Sequence, residues 1–221
     1  MTSKKLSFNL VLICILSILL ACKSDNEIEH KKEPTSIENK KEEKLTIIIQ
    51  PFSDLPAGTA EKVASELNAI YSGPVVLKSA IPLPQRALNY NRTRYRADSL
   101  IKYLGTLVEE DQLIIGLTAR DISTTKGDKP DWGVMGLGFC PGKSCIASTF
   151  RLKGNNKQEK LFKVAIHELG HTQGIAQTNT KHCPNKTCFM RDAEGKDHLN
   201  ELTHFCTACK PVLEKAGWAL K

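Results

Sequence analysis

The stretch Gln158-Glu159-Lys160-Leu161-Phe162-Lys163-Val164-Ala165-Ile166-His167-Glu168-Leu169-Gly170-His171-Thr172-Gln173-Gly174 governs the reading of the chain. Leu161, Phe162, Val164, Ala165 and Ile166 are nearly continuous, the pattern of a helix buried on most sides. Positions i and i+4 of a helix stand one above the other, so the imidazoles of His167 and His171 project from one face and can share one ligand. Glu168 lies one position round, beside that ligand rather than on it. Gly170 and Gly174 would each cost about 1 kcal/mol relative to Ala inside a helix. Gly174 reads as the break that turns the chain back toward the histidines.

Two histidines at this spacing with a glutamate between them form a zinc-binding pattern, the glutamate being placed as a general base. A catalytic zinc takes three protein ligands and keeps a fourth position for water. Candidates for the third lie downstream. A ligand six residues beyond His171 would be Gln177, whose amide oxygen binds zinc far more weakly than an imidazole. The next histidine is His182, reached by a longer loop after Gly174. Glu194 and Glu201 are the acidic alternatives.

Upstream, strands alternate with helices. Leu45-Thr46-Ile47-Ile48-Ile49-Gln50 is a β-branched run stopped by Pro51, hence a buried strand. Residues 57–71 and 96–109 carry apolar residues at helical spacing. Strands are expected at 74–77, 112–117, 133–139 and 145–152, the last two joined by the turn Pro141-Gly142-Lys143. This order predicts an α/β fold: a mixed β-sheet with packed helices, one of them the zinc-binding helix, followed by a small Cys-rich C-terminal subdomain.

That subdomain contains Cys183-x4-Cys188 and Cys206-x2-Cys209. Four thiolates in two close pairs are the ligand set of a structural zinc. Two disulfides are the competing reading, and the tight second pair favours zinc. Cys140 and Cys145 flank the hairpin turn, where a disulfide is expected in an oxidising compartment.

The N-terminus has a different character. Lys4 and Lys5 precede an apolar run, Asn9 to Leu20, that is too short for a comfortable membrane span. Leu19-Leu20-Ala21-Cys22 matches a bacterial lipobox, so residues 1–21 are expected to be a lipoprotein signal peptide and Cys22 the acylated residue. Lysine, glutamate, asparagine and serine dominate the following stretch to residue 44, a composition that cannot bury enough surface to order itself, and 22–44 reads as a tether. The folded domain is then 45–221. The net charge is +7; two lysines fall before residue 23 and six lysines face seven acids in 23–44, which leaves +6 on the remainder. Without an arginine-rich stripe or interleaved aromatics, that surface excludes nucleic acid as an expected partner.

With His-Glu-Leu-Gly-His-x-x-Gly, the His182-Cys183 pair, Cys188-Phe189-Met190 and the late Cys-x-x-Cys, the C-terminal third resembles an archaemetzincin of the metzincin clan. Leu83-Pro84, Arg94-Tyr95 and Gly116-Leu117-Thr118 extend the likeness over 45–221, although only its last third is specific. The resemblance implies His167, His171 and His182 as ligands of a catalytic zinc and Glu168 as base. It implies Met190 as the methionine of a turn beneath the metal, and Cys183, Cys188, Cys206 and Cys209 as ligands of a second zinc, two ions per chain. The interval from Gly174 to Cys183 is about five residues longer than the family's, and the lipobox departs from the family's usual intracellular setting.

The function expected is zinc-dependent hydrolysis of peptide bonds by a monomer, acting on a peptide or protein substrate from a lipid anchor on the bacterial envelope. Two rivals belong to other classes: a catalytically idle, zinc-stabilised binding module, and a zinc amidase acting on cell-wall peptides.

Overall fold

The computed structural model describes residues 44–175, 182–193 and 196–221. The expected signal peptide, all of the tether but Lys44, and the candidates Gln177 and Glu194 lie outside the described residues.

The apolar run at the start of the domain forms β1 (Thr46–Pro51), flanked in parallel by β2 (Val75–Leu77) and β4 (Gln112–Thr118). On the far side of β4 runs β8 (Ser144–Ser148), again parallel, and β7 (Gly136–Gly138) pairs antiparallel with β8 to form the sheet edge. The sheet is therefore mixed, as the sequence suggested. Its central strands are apolar on both faces because helices cover both. Ile47, Ile49, Leu113, Ile115 and Ala147 pack on one side with α1 (Thr59–Ile70) and α3 (Lys157–Thr172). Ile48, Ile114 and Ile146, one residue out of phase, pack on the other with α2 (Ala97–Gly105).

The expected single strand over 133–139 is in fact two. β3 (Tyr95–Arg96), β5 (Ile122–Lys126) and β6 (Lys129–Val134) make a second, three-stranded sheet. Val134 still pairs with Ile122 of β5, whereas the Met135 carbonyl already accepts the Ser148 amide of β8 at 2.8 Å. The chain changes sheets at Met135. The strand expected over 145–152 stops at Ser148, whose hydroxyl donates to the Arg120 carbonyl and accepts the Phe150 amide, opening a turn.

The expected Cys140–Cys145 disulfide is not formed; both thiols are free. Antiparallel register sets Cys145 opposite Gly138, with its sulfur buried against the Ile114 carbonyl at 3.7 Å, while Cys140 lies beyond the strand end and is exposed. Burial pushes the Cys145 thiol well above its ordinary range.

Beyond α3 the chain forms a compact subdomain closed by α4 (Lys210–Lys215). Trp218 anchors it by packing on Tyr71 and Phe205, with ring centroids 5.4 and 6.0 Å away.

Candidate metal centre and family

Helix α3 lies so close to β7 that two glycines are needed opposite it. A Cβ on Gly136 would meet Glu168 Cγ at 2.6 Å, and one on Gly138 would meet the Glu168 carbonyl oxygen at 2.7 Å. Isolated glycines in a strand often mark close backbone approach, and this signal was present in Gly136-Leu137-Gly138.

On a half-buried face of that helix, His167 Nε2 and His171 Nε2 are 3.0 Å apart. His182 joins them, its ring centroid 5.2 Å from that of His167 and 5.1 Å from that of His171. One ligand atom from each of the three lies within 4.8 Å of the others. Nitrogens around one tetrahedral zinc would be about 3.3 Å apart at zinc–nitrogen bonds of about 2.0–2.1 Å, so the donor set fits the ion with small adjustments. Burial pushes the His167 imidazole down to about 4 and that of His171 to about 3, which keeps both neutral and their lone pairs available.

The tautomers agree with this use. His167 Nδ1 is 2.7 Å from the Phe189 carbonyl, an acceptor only, so Nδ1 carries the proton and Nε2 is free to ligate. His182 Nδ1 lies 3.2 Å from Asp192 Oδ2, leaving its Nε2 in the same condition. Neither Phe189 nor Asp192 had a signal in the sequence, because a backbone carbonyl carries none and a lone aspartate is ordinary.

Glu168 is buried beside the trio, and burial pushes its carboxyl up to about 8. It shares with His167 and His182 a cleft of about 520 Å³. Met190 is fully buried beneath the helix against Gly170, where a Cβ would stand 2.4 Å from its sulfur. Glu201, a candidate third ligand, is engaged elsewhere: it accepts from Arg191 Nη1 at 2.5 Å and lies 2.9 Å from His198 Nδ1.

The four C-terminal cysteines also converge, their sulfurs all within 4.8 Å of one another. Cys183 and Cys206 are 3.5 Å apart, and Cys188 and Cys209 3.8 Å. These separations are far from a disulfide bond of about 2.05 Å and close to the roughly 3.75 Å between sulfurs on a tetrahedral zinc with bonds of about 2.3 Å. Contact with the Cys209 sulfur and hydrogen bonds from the Cys206 and Met190 amides draw the Cys188 thiol below its ordinary range. Cys209, the other member of that pair, is raised.

The model of peptidase family M54 matches residues 46–215. The chain belongs to this family. It is an archaemetzincin-like zinc metallopeptidase. Among its relatives, the archaemetzincin of Haloquadratum walsbyi is 25% identical over 187 residues, covering 76% of this chain and 99% of its own length. That of Halobacterium salinarum is 29% identical over 184 residues, covering 75% and 98%. The crystal structure of the Methanopyrus kandleri archaemetzincin shares the fold, with a TM-score of 0.65 at 24% identity over 81% of this chain and 98% of that one. The Archaeoglobus fulgidus archaemetzincin, solved in complex with malonate, gives 0.62 at 26% identity over 76% and 99%.

Proposed function

We propose that this M54 peptidase hydrolyses peptide bonds at a zinc held by His167, His171 and His182, with Glu168 as general base, and that Cys183, Cys188, Cys206 and Cys209 hold a second, structural zinc. The observation that carries the reading is the convergence of three imidazoles, two of them lining one cleft together with the buried carboxyl of Glu168. A zinc ion bound there supplies Lewis acidity, polarising the scissile carbonyl and acidifying water.

The protein's own groups do the rest. Phe189 and Asp192 fix the rings of His167 and His182. With the charge of a bound zinc beside it favouring its ionised form, Glu168 takes the proton of the attacking water and passes it to the leaving amine. By likeness to metzincins, the substrate lies antiparallel to the free edge of β7, as an added strand, which brings its carbonyl past Glu168. Met190 is an apolar floor under the site rather than a ligand.

The test combines metal analysis with turnover. Two zinc per chain and peptide cleavage that falls about 10²- to 10⁴-fold in Glu168→Gln, with zinc retained, support the enzyme. Unchanged turnover in that variant removes the role of Glu168. Two zinc with no cleavage of any peptide favours the binding module, and release of fragments from purified cell wall but not from peptides favours the amidase.

The lipobox at Leu19–Cys22 supports cleavage before Cys22, acylation there, and a domain tethered by residues 22–44 on the envelope. Loss of fatty-acid labelling and of membrane partition in Cys22→Ala is the expected result.

A further inference from the structure

Arg151 lines the same cleft as His167 and Glu168, yet the proposed hydrolysis has no use for it. Its position is strongly fixed. Asp121, 8% exposed, accepts from Arg151 Nε at 2.8 Å and Nη2 at 2.9 Å, and from Arg94 Nε at 2.7 Å. Asp131 helps to balance Arg94, at 3.5 Å, but makes no ion pair with Arg151 among the described residues. On its other side the guanidinium lies against bare backbone: a Cβ on Gly133 would stand 2.0 Å from Nη2 and 2.1 Å from Cζ. Any side chain at 133 would push it away.

A guanidinium has five N–H hydrogens, and the fork onto Asp121 uses two. The other three have no partner among the described residues. A planar, permanently charged donor group, held from behind and partly unused, suits a carboxylate. The surrounding charge agrees. Lys126, Lys153 and Lys196 also line the cleft, while of its three acids Glu168 is the buried group beside the histidines and Asp192 and Asp197 face His182 and Lys160.

We propose that Arg151, clamped by Asp121 against Gly133, binds a carboxylate of the peptide substrate on the C-terminal side of the scissile bond. The side follows from the strand direction. Gly133 precedes Gly136, the residue against Glu168, by three positions, a span of at most about 10 Å. A substrate antiparallel to β7 runs toward its own C-terminus in that direction. The carboxylate then belongs to the second or third residue beyond the cleaved bond, either as an acidic side chain or as the chain's own C-terminus. This inference rests on the peptidase reading above.

The experiment uses the zinc-loaded full-length chain and a synthetic peptide set with Glu or Gln at each position, each peptide made with a free and an amidated C-terminus. A preference of about 10-fold or more in kcat/KM for Glu at the second or third position after the cleaved bond supports the side-chain source. An equal preference for free over amidated peptides, cleaved two or three residues from the end, supports the terminal source. Either preference should collapse toward unity in Arg151→Gln, mainly through KM, and survive in part in Arg151→Lys, which keeps the charge. Arg151→Lys also answers a folding failure of Arg151→Gln, because its loss of the fork alone must lower the ratio. Cleavage by the wild type without either preference, or a preference that persists in Arg151→Gln, overturns the proposal. No cleavage of any peptide removes the peptidase reading first, and the proposal with it.

Discussion

Gly136 and Glu168 are in mutual exclusion: a Cβ on Gly136 would lie 2.6 Å from both Cγ and Oε1 of Glu168, with Val164 Cγ1 at 2.8 Å. The strand edge and the base of the proposed reaction share one small volume, and the carboxylate keeps its place because residue 136 has no side chain. In Gly136→Ala the carboxylate must move by about 1 Å. A misplacement of that size costs about 10²-fold in rate, so kcat is expected to fall 10- to 100-fold. Zinc content should be unchanged, since the three histidines are not displaced. Loss of zinc in this variant would show that the helix itself had moved.

Gly170 poses a competition between two effects. Replacing it by Ala gains about 1 kcal/mol of helix propensity. The new methyl, however, would stand 2.4 Å from the sulfur of Met190, which is fully buried. Overpacking of this kind costs about 1–3 kcal/mol, so Gly170→Ala is expected to lower stability by about 1 kcal/mol. A double variant Gly170→Ala, Met190→Ala should recover part of that loss relative to Met190→Ala alone, read from denaturant midpoints.

The central sheet was legible because its strands are short apolar runs bounded by proline, glycine and charge, and α3 because its periodicity is nearly unbroken. β5 was not: Ile122-Ser123-Thr124-Thr125-Lys126 has one apolar residue, and beyond its buried first two residues it is tied in by polar partners, Arg96 on Thr125 and Asp131 on Ser123. The change of sheet at Met135 depends on a backbone hydrogen bond to Ser148, which no side-chain pattern announces. At the site, helical spacing brought His167, Glu168 and His171 together on paper, and cysteine spacing did the same for the sulfur cluster. His182 came within reach through its neighbour Cys183. Phe189 and Asp192, which orient two of the rings, and Arg151, which reaches the cleft from the turn after β8, depend on tertiary contacts alone.

Lys160 is 5% exposed and its ammonium is 2.6 Å from Asp197 Oδ2, with the Lys153 carbonyl at 3.0 Å. That hydrogen bond is the main reason the Asp197 carboxyl titrates below its ordinary value. A carboxyl lowered in the folded state adds stability that is present above its unfolded value, about 3.9, and is lost as pH falls through the lowered one. Asp197→Asn should therefore be less stable than wild type at pH 7, by about 1 kcal/mol after allowing for the solvent exposure of the carboxylate. The difference should shrink as the pH is taken below 4. A constant difference across that range would mean that the amide disturbs packing instead.

The sulfur cluster and the histidine trio are joined through three consecutive residues. Cys188 is one of the four converging sulfurs, the Phe189 carbonyl accepts the Nδ1 proton of His167, and Met190 lies under Gly170. Phe189 is held in turn by its amide, which donates to the His204 carbonyl at 2.8 Å, two residues before Cys206. Removing one sulfur should thus weaken both sites rather than one. In Cys206→Ser the zinc content is expected to fall from two to one or fewer per chain. Partners that orient a metal-bound histidine are typically worth 10- to 100-fold in metal affinity, so the remaining zinc should be lost at correspondingly lower chelator concentration, and peptidase activity with it. Metal analysis after graded chelation, set beside turnover, checks both parts. Full retention of the second ion at wild-type affinity would show that Phe189 keeps its place without the cluster.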